Sequence, residues 1–586
     1  MDSCYIYVGK HSPKVIAPGS TPTGIKQAGM WLRKGKTYSG RVVLYGDPLM
    51  RVEVSLIWGT TPAERQTITI ESLTSAYEKY PLEFTAGGDT NNGYIEIVTK
   101  NKGTFGIGAV SMMPADNSIH GFRKDMINIL KQMNSGIYRW PGGNFVANYD
   151  WRHGIGDPDE RPPRYDYAWN TVESNDVGTD EFIIMCHLIH VEPYICVNIG
   201  LGDSFSAAQW VEYCNGAPNT PMGKWRANNG HTQPYHVTYW GIGNEMYGQW
   251  QLGHMSIEHY SLKHNFFAED MRAVDSTIKF VASGASIYEA STTARHHRQP
   301  LYAKLPYEYM SPDDWSGNLL KGSLPNIDYL AEHIYSVFNG YFDGTRQEWV
   351  NDQNTPLLEQ IRRTPSRIKG MVEAVQEYEK RIPGMKEKNL DCWVDEWVAG
   401  GGRGFGNTLG IAFSLNELFR HSDYIMMGAF TGFTSLYTAN DVAASMSSKG
   451  MLFKLYREYM GIIPVAVGGY SPVPALKGTI GVDIPTDVAG VPTYPLDVLA
   501  TMNEARTKLT ISIVNPTETT QSAKFDLGKT KVSTQATVRV LATDSVTNEN
   551  RPGEAPIITV RESQMKWLPE IKVAPYSITI YEVDIK

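Results

Sequence analysis

Export signals, membrane spans, disulfide frameworks and basic patches are all missing from this chain, and each absence removes a class of function. The opening MDSCYIYVGKHSPK has no basic stretch followed by an apolar one, so the chain as it stands carries no secretory leader. No run approaches the ~18 uninterrupted apolar residues that a membrane helix needs, so no membrane role is expected. Only five of the 586 residues are cysteine: Cys4, Cys186, Cys196, Cys214 and Cys392. Their number is odd, metal-ligand spacing is lacking, and most fall inside apolar helix or strand patterns. They read as reduced core residues of a cytoplasmic protein. With 54 Lys+Arg against 62 Asp+Glu the formal net charge is −8, and no basic block or arginine stripe appears, which argues against a nucleic-acid partner.

What the chain has in quantity is length and aromatic residues. A chain this long is expected to form two or three domains. Aromatic residues make up 11% of it, with 14 Trp and 33 Tyr, a richness that suits thick cores or sugar-stacking surfaces. Over residues 1–115, short strand-like runs (RVVLYGD, RVEVSLIWG, RQTITIES, YPLEFTAGG, GYIEIVTK, TFGIGAVSMM) are separated by turn signals. They predict an N-terminal β-sandwich resembling a carbohydrate-binding module. Over 116–460, helices alternate with short apolar strands, from GIYRW through EPYICVNIG, TYWGIGNE and LDCWVDEW to YIMMGAFTG. So many consecutive βα units favour a (β/α)8-type barrel. Over 461–586 helical periodicity stops, and runs such as LTISIVNP and SITIYEVDIK predict a C-terminal β-sandwich. The fold class is therefore α/β plus all-β.

In such barrels chemistry occurs at the C-terminal ends of the strands. Glu245 follows the run TYWGIGN, and Glu396 ends LDCWVDEW in the same way. Two carboxylates facing each other across a barrel mouth can divide acid and nucleophile roles, as retaining glycoside hydrolysis requires at a separation of ~5–5.5 Å. The alternative from strand position alone is that both acids serve salt bridges or helix caps.

The neighbouring residues resemble glycoside hydrolase family 51, the α-L-arabinofuranosidase family. The similarity runs from about Gly121 to His254, through RWPGGNFVANYDWRHGIGDPDERPPRYDYAWNTVESNDVGTDEF, EPYICVNIGLGD, WVEYCNG and YWGIGNEMYGQWQLGH, and recurs locally later. This resemblance implies a retaining hydrolase with glutamates on barrel strands four and seven, Glu245 as acid/base and Glu396 as nucleophile. It further implies that Arg139 and Asn144 support the nucleophile and line the sugar site, and that Asn244 hydrogen-bonds the 2-hydroxyl. His333 and Tyr335 of EHIYS match the family's pair on strand six, where the tyrosine can hydrogen-bond the nucleophile. Trp169 resembles a subsite tryptophan, and Trp397 the aromatic that follows the nucleophile. No metal or redox cofactor is needed for this chemistry. The adjacent His296 and His297 lie in a polar loop and read as solvated.

Three departures stand out. After the nucleophile the family often continues Glu-Trp-Asn-Val-Trp, whereas here the run is EWVAGGGRGFG, predicting a wider or more mobile wall. The family's glutamine near strand eight has no clear counterpart in AFTGFTSLYTAND. The family's first barrel strand, with a glutamate that binds arabinose hydroxyls, has none either: residues 1–113 look like sandwich alone, led by CYIYVGKHSPKV. Seven barrel strands are expected, starting near Gly136, Glu192, Thr238, Ile278, Ile327, Leu390 and Tyr424. The chain then reads as an N-terminally shortened member whose open strand edges are covered by another segment, a partner chain or disorder.

The leading functional expectation is an exo-acting α-L-arabinofuranosidase that releases arabinose from arabinoxylan, arabinan or their oligosaccharides. Two others are weighed: a family relative acting as an endo-β-1,4-glucanase or xylanase, and a carbohydrate-binding protein with an impaired site. The missing strand favours the last, while retention of Glu245 and Glu396 opposes it. Oligomeric state stays open, a homo-oligomer included.

Overall fold

A computed structural model describes residues 1–285, 309–312, 314–335, 340–343, 348–351, 354–474, 476 and 489–586. The chain divides into two compact units. The first comprises Met1–Asn128, Asp150–Leu188 and Asn440–Ala443. The second comprises Ile129–Tyr149, Ile189–Ala439 and Ala444–Lys586, so the barrel and the C-terminal sandwich belong together. The expected sequential partition differs from this one. Segment Asp150–Leu188 joins the N-terminal strands through ion pairs such as Arg41 with the buried Asp159, 2.5 Å apart.

In the first unit, β1 (Lys14–Pro18), β8 (Lys102–Pro114), β3 (Thr37–Gly46) and β6 (Glu78–Thr85) form one antiparallel sheet in that spatial order. A second runs β2 (Thr23–Leu32), β7 (Thr90–Thr99), β4 (Val52–Ile57), β5 (Arg65–Ile70). Alternating residues of both sheets, including Val42, Leu44, Val54, Leu56, Phe84, Ile95, Ile97, Phe105 and Ile107, fill the core. Two details depart from the sequence reading. CYIYV is not a strand, because the Asp2 carboxylate accepts the backbone N–H groups of Cys4 and Tyr5 and turns the chain, so that Asp2 pairs with Ser12. The strand β2 was not foreseen, because most of it is exposed and it lacks an apolar alternation. The unit also holds a hairpin, β10 (Arg164–Asp166) and β11 (Thr171–Glu173), and the helix Thr179–Ile189 up to its last residue.

In the second unit, seven parallel strands follow one another in chain order: β9 (Ile137–Trp140), β12 (Glu192–Val197), β13 (Tyr239–Ile242), β14 (Lys279–Ser283), β15 (Tyr329–Tyr335), β18 (Asp391–Val398) and β19 (Ile425–Phe430). They form a nearly closed barrel, with strand starts within two residues of those expected. Its two edges are β9 and β19, and among the described residues no strand lies between them. Tyr138 on β9 and Phe433 just past β19 meet edge to face, 5.5 Å between ring centroids, so aromatic side chains span the seam. Small hairpins, β16 (Gly340–Asp343) with β17 (Glu348–Asn351) and β20 (Tyr437–Ala439) with β21 (Ala444–Met446), decorate the loops.

Four of the helices begin at polar caps: Asp203, Ser256, Asp314 and Ser447 each accept a backbone N–H from the first turn that follows. Inside the barrel, Val146, Tyr194, Cys196, Val281, Ala331 and Trp393 form a buried plug, with Tyr329 stacked on Trp393 at 4.5 Å.

Eight further strands complete the unit: β22 (Ile463–Val465), β23 (Asp497–Met502), β24 (Lys508–Asn515), β25 (Gln521–Lys524), β26 (Val532–Ala542), β27 (Val560–Lys566), β28 (Glu570–Val573) and β29 (Ser577–Ile585). Six make one sheet, and β25 and β28 pair separately over a shared apolar core. Helix Phe405–Arg420 is tied to this sandwich by Asn416 and Arg420, which donate to Asp497 at 2.8 and 2.5 Å. No helix among the described residues is long and apolar enough to cross a membrane.

Candidate active site

Six barrel strands converge on one buried cluster. Arg139 is the third residue of β9, and its side chain is 9% exposed. One terminal nitrogen donates to Glu396 Oε1 at 2.6 Å, the other to Asn244 Oδ1 at 2.7 Å. Its Nε donates to Cys196 Sγ at 3.1 Å and lies 3.3 Å from Asp395 Oδ2. A single guanidinium therefore spans the ends of β9, β12, β13 and β18. Its fork fits this task, because a lysine could not donate in several fixed directions at once.

Glu245 follows β13 in the left-handed region, at φ +46°, after Gly243 at φ +86°. A glutamate in that conformation is strained by about 1–3 kcal/mol, and such residues persist where the surroundings hold them. Here Ser283 Oγ, at the end of β14, accepts the Glu245 N–H at 3.0 Å. The Tyr260 hydroxyl clamps the same two strand ends by donating to Ile242 O at 2.7 Å and accepting from Ser283 N at 2.8 Å. The Glu245 carboxylate receives the Trp250 indole N–H at 2.6 Å on Oε2 and His333 Nδ1 at 2.8 Å on Oε1.

Glu396 and its neighbour Asp395 both face the interior, which strict strand alternation forbids. The explanation lies in the register. On β15, Ala331 pairs with Trp393 and His333 with Glu396, so three steps on β18 match two on β15. That bulge turns consecutive acids to the same side. Glu396 Oε2 accepts the Tyr335 hydroxyl at 2.5 Å and lies 3.6 Å from His333 Nδ1. Asp395 accepts the Tyr194 hydroxyl at 3.0 Å and lies 3.2 Å from His333 Nε2. His333 thus bridges Glu245 and Asp395, with Glu396 close by.

The charges are mutually set. Burial pulls the His333 imidazole down, but Glu396 and Asp395 outweigh it and hold it well above the ordinary histidine value, so it is cationic. Burial pushes the Glu396 carboxyl up, and His333, Arg139 and the Tyr335 hydroxyl overcome this and hold it below the usual glutamate range. Asp395 behaves alike: Arg139 and His333 outweigh its desolvation and lower it. Burial and the nearby Glu396 raise Tyr335, which stays a neutral donor.

One ligand atom each from Glu245, His333 and Glu396 lie within 4.8 Å of one another. They could geometrically hold a cation, but a cationic imidazole and the Arg139 guanidinium already occupy the carboxylates' donor positions. The arrangement suits two carboxylates acting on one bound carbon.

Of the residues expected at the site, the structure brings together Arg139, Asn244, Glu245, His333, Tyr335 and Glu396. Asn144 is half-buried on the turn after β9, outside this hydrogen-bonded cluster. Trp169 lies in the first unit, between β10 and β11, and is 62% exposed. Trp397 requires a correction: it is fully buried and packs on Phe430, 5.0 Å between ring centroids, behind the strand rather than at the sugar side. The glycines that follow also differ from expectation. A Cβ on Gly401 would come within 2.2 Å of Gly406 O, and one on Gly404 within 2.7 Å of the Thr547 backbone, so these glycines permit tight packing rather than a widened rim. His296 and His297 lie outside the described residues. Asp395, Trp250 and Gln251 belong to the cluster and were not singled out. Trp250 and Gln251 stood inside the quoted YWGIGNEMYGQWQLGH, but nothing in strand or helix periodicity says that a loop folds back.

Comparisons with known proteins point to one group of enzymes. Residues 129–316 match the model of the "Alpha-L-arabinofuranosidase 1 domain". Over 217 residues the chain is 38% identical to a probable α-L-arabinofuranosidase C of Aspergillus clavatus, covering 37% of this chain and 41% of that protein. It is 34% identical over 215 residues to an intracellular exo-α-(1→5)-L-arabinofuranosidase 1 of Bacillus subtilis, covering 37% and 39%. The chain therefore spans about two fifths of the length of the curated relatives it matches. Among solved structures, the thermostable family 51 α-L-arabinofuranosidase of Thermotoga petrophila superimposes with a TM-score of 0.63 at 26% identity, covering 80% of this chain and 92% of that one.

Proposed function

From the premise that this chain belongs to glycoside hydrolase family 51, we propose that it is a retaining, exo-acting α-L-arabinofuranosidase. Its substrates are arabinoxylan, arabinan or their oligosaccharides. The observation that carries the reading is the spacing of the two carboxylates. An oxygen of each lies within 4.8 Å of the other, a close approach of the kind a retaining pair needs, at ~5–5.5 Å between carboxyl groups, rather than the ~6.5–9.5 Å that leaves room for water in inverting enzymes.

Glu396 is the nucleophile. Arg139 and Tyr335 each hold one of its oxygens, which keeps it ionised and aims it at the anomeric carbon. Glu245 delivers a proton to the departing glycosidic oxygen, and the arabinosyl group becomes an ester of Glu396. Glu245 then takes a proton from water, which attacks the same carbon and frees Glu396. Two inversions give net retention. His333 and Trp250 fix the Glu245 carboxyl between the two steps. Asn244 donates to the 2-hydroxyl, an interaction that strengthens as the ring becomes oxocarbenium-like. Asn144, half-buried beside β9, lines the sugar site.

The test is sugar release from arabinoxylan with the product anomer followed by NMR. Arabinose of retained configuration supports the proposal. Reducing ends released from unbranched xylan would point instead to the endo-acting alternative, and no release at all to a binding protein.

A further inference from the structure

We infer that Gln251 is a substrate-positioning residue, which fixes the amide plane of Asn244 so that one Asn244 N–H stays free for a sugar hydroxyl. The inference rests on the arabinofuranosidase reading above and extends it to a residue outside the reacting pair.

Arg139 can only donate hydrogen bonds, so it fixes the polarity of everything beyond it. The Asn244 atom 2.7 Å from its guanidinium must be the oxygen. Asn244 Nδ2 is then a donor, and the Gln251 atom that faces it at 3.2 Å must be Oε1. The chain Arg139 to Asn244 to Gln251 therefore runs one way and ends on Gln251 Nε2. That nitrogen is buried and has no hydrogen-bond partner among the described residues.

The two contacts on Asn244 do different work. Arg139 decides which end of the amide is oxygen. It does not decide the tilt, because the terminal torsion of asparagine has a broad minimum. A second contact from another direction sets the plane, and Gln251 supplies it. One hydrogen of Asn244 Nδ2 is used in this way, and its second remains for a ligand.

The loop that carries Gln251 is built to return. Gly248 N donates to Glu245 O at 2.8 Å and Gln251 N to Gly248 O at 3.0 Å, two tight turns that bring residues 248–251 back over Asn244 and Glu245. Trp250 reaches the acid and Gln251 the amide from this one loop. A glutamine kept only for packing would have its amide nitrogen satisfied. An orphan buried donor costs about 1–3 kcal/mol, and such groups occur where a ligand or water completes them.

The experiment uses the full chain as parent, Q251L, Q251E, N244A and the Q251L/N244A double variant. Each is assayed on 4-nitrophenyl α-L-arabinofuranoside and on its 2-deoxy analogue, with thermal melts recorded alongside. On the hydroxylated substrate Q251L should lose about tenfold or more in kcat, with KM moving much less, because the contact matters most in the transition state. On the 2-deoxy substrate it should stay within about twofold of the parent, since the hydroxyl that Asn244 serves is gone. In the N244A background Q251L should add nothing. Q251E keeps an acceptor opposite Asn244 Nδ2 and should recover the preference for the 2-hydroxyl, which keeps the test decisive if Q251L folds poorly. Equal losses on both substrates, additivity with N244A, or a Q251E variant as indifferent to the hydroxyl as Q251L would each overturn the inference while leaving the arabinofuranosidase reading intact. A parent that hydrolyses neither substrate would overturn both.

Discussion

Asp395→Asn preserves the shape of a buried side chain and deletes only its charge, so it isolates what that charge does. In the parent, Arg139 and His333 are two buried cations that face two carboxylates held ionised, Asp395 and Glu396. The asparagine leaves Arg139 facing Glu396 alone, and His333 facing Glu245 and Glu396. Breaking one side of a buried ion pair typically costs ~3–5 kcal/mol. Part of this is recovered when His333, no longer raised by Asp395, gives up its proton more easily.

The pH dependence follows from the signs. Asp395 is lowered from 3.8, so its contribution to stability is present above about that pH and is lost as pH falls through its lower folded value. His333 is raised above 6.5, so its contribution is complete below 6.5 and is lost as pH rises through its higher folded value. In the variant His333 is raised less and has less to lose. The stability gap between parent and variant should thus be widest between about pH 4 and 6.5 and should narrow on either side. Thermal melts of the full chain across pH 3–9, read by calorimetry so that the barrel's transition is separated from the others, measure it. A gap that stays flat across pH, or one below about 1 kcal/mol throughout, would refute the charge-balance argument.

Further outcomes follow from the same geometry. Glu396→Ala should abolish nearly all turnover, and azide should restore part of it with an inverted glycosyl product; turnover within about tenfold of the parent would remove Glu396 from the nucleophile's role. Glu245→Ala should still form the intermediate from aryl arabinofuranosides with good leaving groups while barely cleaving natural oligosaccharides, and equal losses on both would count against a general acid. Tyr335→Phe deletes a hydrogen bond to a charged oxygen worth ~1.5–3 kcal/mol, so kcat should fall about 10- to 100-fold. Because the Tyr335 hydroxyl helps to hold Glu396 down, the acidic limb of the pH–rate profile should also move to higher pH, and an unmoved limb would contradict the assignment.

The barrel was legible because its signals are local. Each strand is a short apolar run, several helices have a polar start, and the strand starts fall where the runs begin. The sandwich strand β2 was not legible, since an exposed edge strand carries no apolar alternation. At the site, position at a strand end was enough to find Glu245 and Glu396. Arg139, Asn244, His333 and Tyr335 came through the resemblance of whole segments to a family, because a lone arginine or histidine on a strand has no signature of its own.

One irregularity explains most of what was misplaced. Alternation says that if Glu396 faces inward, then Asp395 and Trp397 face outward. For Trp397 this holds, and its neighbour's position was a usable sign that the indole belongs to the packing behind the strand, against Phe430. For Asp395 it fails, because the extra residue between the pairs Ala331–Trp393 and His333–Glu396 restores it to the interior. No residue in LDCWVDEW announces a bulge; the sequence holds no glycine there. What stabilises the bulge is the company it gives Asp395: Arg139 from β9, Tyr194 from β12 and His333 from β15. Those partners come from distant parts of the chain, and only the strand order of the nearly closed barrel brings them together. The bulge therefore depends on the barrel as a whole, and in return it sets the Asp395 carboxylate beside Glu396, where the Arg139 and His333 cations face both.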